Sequence, residues 1–181
     1  LDRDGVINTN RADHVKCWSE VALLPGAIEA LRALACTGLP VVIVTNQSAI
    51  NLHLLSYEAA ESINLRLMGY LNTQGARIEA VAWCPHRPDE ACGCRKPQPG
   101  MLTYAAQALG LDLAHSYLVG DAANDIAVGM AVGCKSALVL TGRGTDQRAE
   151  VAERWGEGCP VWADLGAAAG WVASELAKGN V

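Results

Sequence analysis

Val41-Val42-Ile43-Val44-Thr45-Asn46-Gln47 is a β-branched run that ends abruptly in polar side chains. A short apolar run without polar alternation fits a strand buried on both faces, the kind found in parallel sheets covered by helices. Its flanks agree. Upstream, Pro25-Gly26 opens a stretch in which Ala27, Ile28, Leu31, Leu34 and Ala35 recur at helical spacing until Gly38. Downstream, Ser56 is a candidate N-cap for a helix reaching about Leu71, with Ile63, Leu67 and Leu71 on one side. The alternation continues with a strand over 78–83, an irregular stretch over 84–98 and a helix from Pro99-Gly100 to Gly110. A strand over 116–120, a helix over 124–132, a strand over 136–140 and a last helix over 164–177 complete it. Strands alternating with helices predict right-handed βαβ units. The expected fold is α/β: a Rossmann-like three-layer sandwich with a central parallel sheet, as one domain over residues 1–181.

Composition narrows the function. The 181 residues are 51% hydrophobic and 18% charged, which reads as globular. The net charge of -5, with no Lys/Arg cluster, argues against nucleic acid as a partner. No run of 18 apolar residues exists to span a membrane, and there is no signal peptide, so a cytoplasmic monomer is expected. Only Leu1 precedes Asp2. A strand ending at Asp2 needs several apolar residues before it, so the expectation is that the N-terminal strand is truncated.

In such sheets ligands bind beyond the carboxyl ends of the strands. Four segments put chemistry there or at a loop-to-helix junction: Asp2-Arg3-Asp4-Gly5, Thr45, Arg95-Lys96-Pro97 and Leu118-Val119-Gly120-Asp121. Residues i and i+2 of a strand share a side, so Asp2 and Asp4 are paired carboxylates. Asp2 is the candidate nucleophile, a carboxylate able to accept a phosphoryl group. Asp4 is the candidate acid and base. The Thr45 hydroxyl can hold a phosphoryl oxygen, and Lys96 supplies positive charge. Asp2, Asp4 and Asp121 are the candidate Mg²⁺ ligands; Asp2 and Asp121, with waters and a phosphate oxygen, make an all-oxygen shell. Asp125 is either an acid behind this site or a first-turn residue favoured by the helix dipole.

This order of motifs resembles the haloacid dehalogenase superfamily of phosphohydrolases, from Asp2 to about Gly144. The resemblance implies a Mg²⁺-dependent phosphatase working through an aspartyl-phosphate, with a minimal cap. Asn8 then either supports the Asp4 loop or touches substrate.

Three of seven cysteines crowd with a histidine: Cys84-Pro85-His86, then Cys92-Gly93-Cys94. Cys₃His is a closed set for structural Zn²⁺, and here it would tie down loop 84–94 directly before Arg95-Lys96. The zinc loop followed by Cys94-Arg95-Lys96-Pro97 resembles the heptose 1,7-bisphosphate 7-phosphatases and their cousins, the histidinol-phosphatases. Thr45-Asn46-Gln47-Ser48 and the stretch 95–102 are more similar to the heptose enzymes. That resemblance implies loss of the C7 phosphate from D-glycero-D-manno-heptose 1,7-bisphosphate, with Asn8, Asn46, Gln47, Ser48 and Arg95 contacting substrate. The alternatives are a histidinol-phosphatase, a broader small sugar-phosphate phosphatase and a non-catalytic truncated domain. One departure stands out: Leu52 replaces an Arg of the heptose enzymes, so Leu52→Arg is expected to tighten bisphosphate binding.

Overall fold

The computed structural model describes residues 1–179. Its elements run in the order α1 (Ala27–Cys36), β1 (Val41–Asn46), α2 (Tyr57–Thr73), β2 (Ile78–Cys84), α3 (Gly100–Leu109), β3 (Tyr117–Gly120), α4 (Ala123–Ala131), β4 (Lys135–Val139), α5 (Gly144–Trp155), β5 (Val161–Trp162) and α6 (Leu165–Gly179). All strand pairs are parallel: β1 with β2, β3 with β4, and β4 with β5. Leu1 and Asp2 join these two sheets. The Leu1 amino group donates to the Val42 carbonyl at 2.8 Å, Val44 donates back to the Leu1 carbonyl at 2.8 Å, and Asp2 donates to the Val119 carbonyl at 2.9 Å. Below this junction, β1 and β3 flank an apolar cavity of about 510 Å³, with Val42, Val44, Leu118 and Val172 in its wall.

The period of two sorts the strand residues between two helical layers. Ile43, Val119 and Val139 face one core shared with α1, α2 and α6. Val44 and Leu118 face Met101 and Leu102 of α3 and Val128 of α4. Leu138 packs with Ile126 of α4 and Val151 of α5. β1, β3 and β4 are therefore buried on both faces, as the β-branched runs predict, whereas β2 and β5 are mostly half-buried. Ser56 does cap α2, its hydroxyl accepting from the Ala59 amide at 3.1 Å. Gly110 ends α3 in the left-handed conformation.

Two elements escaped the sequence reading. In α5, GTDQRAEVAERW, only Gly144 and Val151 are buried, so no apolar stripe marks it. Strand β5 is two residues long. Helix α5 nonetheless serves the site: Gln147 accepts from the Ala123 amide at 3.1 Å and so caps α4. Among the described residues no helix is long and apolar enough to cross a membrane.

Candidate active site

The strand ends converge on a cleft of about 310 Å³ whose wall includes Asp2, Asp4, Thr45, Lys96, Asp125 and Arg143. Asp2 reaches it from the junction between the sheets, Thr45 from the end of β1, and Asp121 lies just beyond β3.

Lys96 organises the floor. It is 3% exposed, and its ammonium contacts the Val44 carbonyl at 2.8 Å, Asp2 Oδ1 at 2.8 Å and Asp125 Oδ1 at 2.5 Å. The Val44 contact is a hydrogen bond, and the two carboxylate contacts are close ion pairs. Lys96 thus holds two carboxylates: its charge reaches Asp2, as the sequence suggested along with phosphate, and also Asp125. Burial lowers its proton affinity, but Asp125 and Asp2 outweigh that and hold its pKa above the usual lysine value. Asn46 fixes the Lys96 backbone from β1: its Nδ2 donates to the Lys96 carbonyl at 3.2 Å and its Oδ1 accepts from the Lys96 amide at 3.1 Å.

Carboxyl oxygens of Asp2, Asp121 and Asp125 lie within 4.8 Å of one another, all three residues buried. Burial pushes the Asp2 pKa up to about 7; Lys96 opposes the rise, while Asp125 and Asp121 add to it. Burial also raises Asp121, against the Arg143 amide. Lys96 balances one charge of this trio, and Arg143 approaches Asp121 loosely, Nη2 to Oδ1 at 3.5 Å. Three close carboxylates with so little compensation suit a divalent cation bound by oxygen.

Asp4 lies outside this trio, a departure from the ligand set read from sequence. Its carboxylate accepts from Arg3 Nη2 at 2.8 Å, Asn8 Nδ2 at 2.7 Å and Gln47 Nε2 at 2.8 Å. Burial works to raise its pKa, yet Arg3, Asn8 and Gln47 prevail and hold it below the usual carboxylate value. Asn8 is buried against Asp4 and outside the cleft wall, so of its two sequence readings the supporting one fits. Gln47 bridges Asp4 to the Thr45 hydroxyl, donating to Oγ1 at 2.9 Å. Ser48 and Arg95 line the cleft, as does Arg143, which no motif had singled out. Leu52 is 43% exposed and not part of the cleft wall. Gly5 is required on steric grounds: its φ is +90°, and a Cβ there would meet an Asp121 carboxylate oxygen at 2.0 Å.

The cysteine cluster forms beside this site because β1 and β2 pair Asn46 with Cys84. Cys94 Sγ lies 3.1 Å from Cys84 Sγ, 3.7 Å from Cys92 Sγ and 3.3 Å from His86 Nδ1. Ligands about 2.3 Å from a tetrahedral zinc stand roughly 3.8 Å apart, so the four atoms need only small shifts to fit. The Arg95 amide donates to Cys92 Sγ at 3.4 Å, and the Arg95 guanidinium donates to the His86 carbonyl at 2.9 Å. The loop thus grips the residue next to Lys96. Burial raises the Cys84 thiol to about 12 and also raises Cys94, whereas Cys92 is lowered: burial works against it, and backbone donors from Arg95 and Cys94 prevail.

The fold and the carboxylate-lysine floor define a haloacid-dehalogenase-type hydrolase. The HAD-hydrolase-like family profile matches residues 93–168. The chain is 40% identical over 144 residues to the D-glycero-beta-D-manno-heptose-1,7-bisphosphate 7-phosphatase of Pseudomonas aeruginosa, covering 80% of this chain and 81% of that protein. The Escherichia coli enzyme of the same name is 36% identical, with 86% and 85% covered. The crystal structure of D,D-heptose 1,7-bisphosphate phosphatase from B. bronchiseptica, complexed with magnesium and phosphate, superposes with a TM-score of 0.88 at 36% identity, covering 96% of both chains. The chain belongs to the heptose 1,7-bisphosphate 7-phosphatase family of HAD-like hydrolases.

Proposed function

We propose that this chain, acting as a single domain, removes the C7 phosphate of D-glycero-D-manno-heptose 1,7-bisphosphate through a phospho-Asp2 intermediate. The observation that carries the reading is the buried Asp2–Lys96–Asp125 ion-pair chain opening onto a polar cleft beside Asp121 and Asp4. Relatives named for this reaction at 36–40% identity support the substrate.

Lys96 aims Asp2 into the cleft and opposes its protonation, and a bound cation would add to that, favouring the ionised form that attacks phosphorus. A bound Mg²⁺, with Asp2 and Asp121 as ligands and Asp125 behind, would offset the repulsion between carboxylate and phosphate dianion. Thr45 Oγ1, already accepting from Gln47, has its own proton free for a phosphoryl oxygen. Asp4 is held ionised at rest and is the base that takes a proton from water in the second step. A phosphate dianion arriving beside it raises its pKa, which favours the protonated form needed to discharge the sugar alkoxide in the first step. Asn8, Gln47 and Arg3 orient Asp4, and Asn46 orients Lys96; Ser48 and Arg95 remain as substrate contacts on the wall. Zinc in the cysteine loop would supply rigidity and no chemistry, since all four positions are taken by protein.

Phosphorus NMR of heptose 1,7-bisphosphate with the purified chain and Mg²⁺ tests this. Loss of the C7 resonance with the C1 resonance retained is expected. Preferential turnover of histidinol phosphate, or no turnover of either by folded protein, would overturn the assignment.

A further inference from the structure

Arg143 sits where the loop after β4 crosses the carboxylate trio. Its main chain is fixed. The Arg143 amide donates to Asp121 Oδ2 at 2.8 Å, and two residues earlier the Thr141 hydroxyl donates to the Gly5 carbonyl at 2.6 Å. Between them Gly142, at φ +57°, passes so close that a Cβ would meet Asp121 Oδ2 at 2.1 Å. The side chain is held far less firmly. It is 56% exposed, lies in the cleft wall, and its contact with Asp121 Oδ1 is 3.5 Å long. The partner carboxylate is wholly buried, and Lys96 pairs with the other two members of the trio. A hydrogen-bonded backbone thus carries a half-exposed, loosely paired cation over the one acid of the trio that lacks the lysine.

We propose that Arg143 exchanges partners during binding. Its guanidinium screens Asp121 while no divalent cation is bound, and turns to the phosphoryl group once a cation occupies the carboxylates. This rests on the phosphatase reading above and adds a residue to it. The physical basis is competition. Two cations cannot share the Asp121 oxygens at full strength, and a guanidinium released into the cleft has a planar fork suited to phosphate oxygens. The anchoring amide belongs to the main chain, so side-chain substitutions leave it in place.

Calorimetric titration of the full chain with Mg²⁺ alone, and then with inorganic phosphate at saturating Mg²⁺, reads both halves. Arg143→Met should bind Mg²⁺ roughly two- to fivefold more tightly, because a half-exposed competitor is gone. It should bind phosphate roughly tenfold more weakly, having lost a charge-assisted contact. Arg143→Lys should lie between Arg143→Met and the native chain in both titrations, an intermediate pattern that a purely structural role would not give. Equal Mg²⁺ affinity in the native and Arg143→Met proteins, or equal phosphate affinity, would overturn the exchange. Asp121→Asn separates this from failure of the phosphatase reading. If the native chain binds no more Mg²⁺ than Asp121→Asn, the cation site itself is wrong and both proposals fall.

Discussion

At the residue scale, Asp2 and Asp4 have opposite surroundings, and each yields a test. Without a divalent cation, burial carries Asp2 from an ordinary 3.8 to about 7. A raised carboxyl pKa means that the native state holds the proton more tightly than the unfolded chain. Its stabilisation is therefore full below about pH 4 and lost as pH rises towards 7. Asp2→Asn removes this titration, so in chelator the variant should gain in melting temperature relative to the native chain between pH 4 and pH 8. A gap that does not change with pH would contradict the account. Asp4→Asn should slow turnover by roughly 10²–10⁴-fold, the worth of a positioned proton carrier. The loss should shrink on nitrophenyl phosphate, whose leaving group needs no proton; equal loss on both substrates would make Asp4 structural. Leu52 reverses an expectation. The family Arg suggested a phosphate contact at this position, but Leu52 is exposed and does not line the cleft. Leu52→Arg should therefore leave KM for the bisphosphate within about twofold, in the range of surface substitutions far from any special feature. Tightening of tenfold or more would bring position 52 back into the site.

At the element scale, sequence carried the argument where local patterning and burial agree. The β1 run, the Ser56 cap and the Gly110 stop all lie within a few residues of their expected places. Helix α5 was illegible because a solvated helix with one buried large apolar residue, Val151, shows no stripe. Arg143 was missed for a related reason: it lies in a glycine turn, and its importance comes from Asp121, 22 residues away. The Gln47–Asp4 contact spans 43 residues and likewise leaves no trace in spacing. The cysteine loop, by contrast, declares itself by composition. It should hold about one zinc per chain by elemental analysis, four ligands being present. Cys92 is the informative position because it is only partly buried, so its substitution disturbs little beyond the ligand set. Cys92→Ser should lower the melting temperature by at least ~4 °C, the shift that about 1–2 kcal/mol makes in a chain of this size. Activity should fall with it through Arg95 and Lys96. A metal-free, fully stable protein would remove zinc from the account.

At the scale of the whole molecule, a parallel sheet collects chemistry that the sequence scatters over 120 positions. Asp2, Thr45 and Asp121 stand at or just beyond strand ends, and Asn46 draws Lys96 in from a loop. Their order along the chain revealed the class of chemistry, while the division of labour emerged only in three dimensions. Lys96 holds two aspartates, Asp4 is held by a triad of donors, and Asp125 completes a buried trio. The central claim is that phosphate passes through Asp2. Borohydride reduces an acyl phosphate and leaves homoserine in place of the aspartate, so quenching the chain during turnover of heptose 1,7-bisphosphate with Mg²⁺ and sequencing the peptides by mass spectrometry tests it directly. Homoserine is expected at position 2, and only when both substrate and Mg²⁺ are present. Unmodified Asp2 under conditions of sustained turnover, or reduction at another acid, would contradict it.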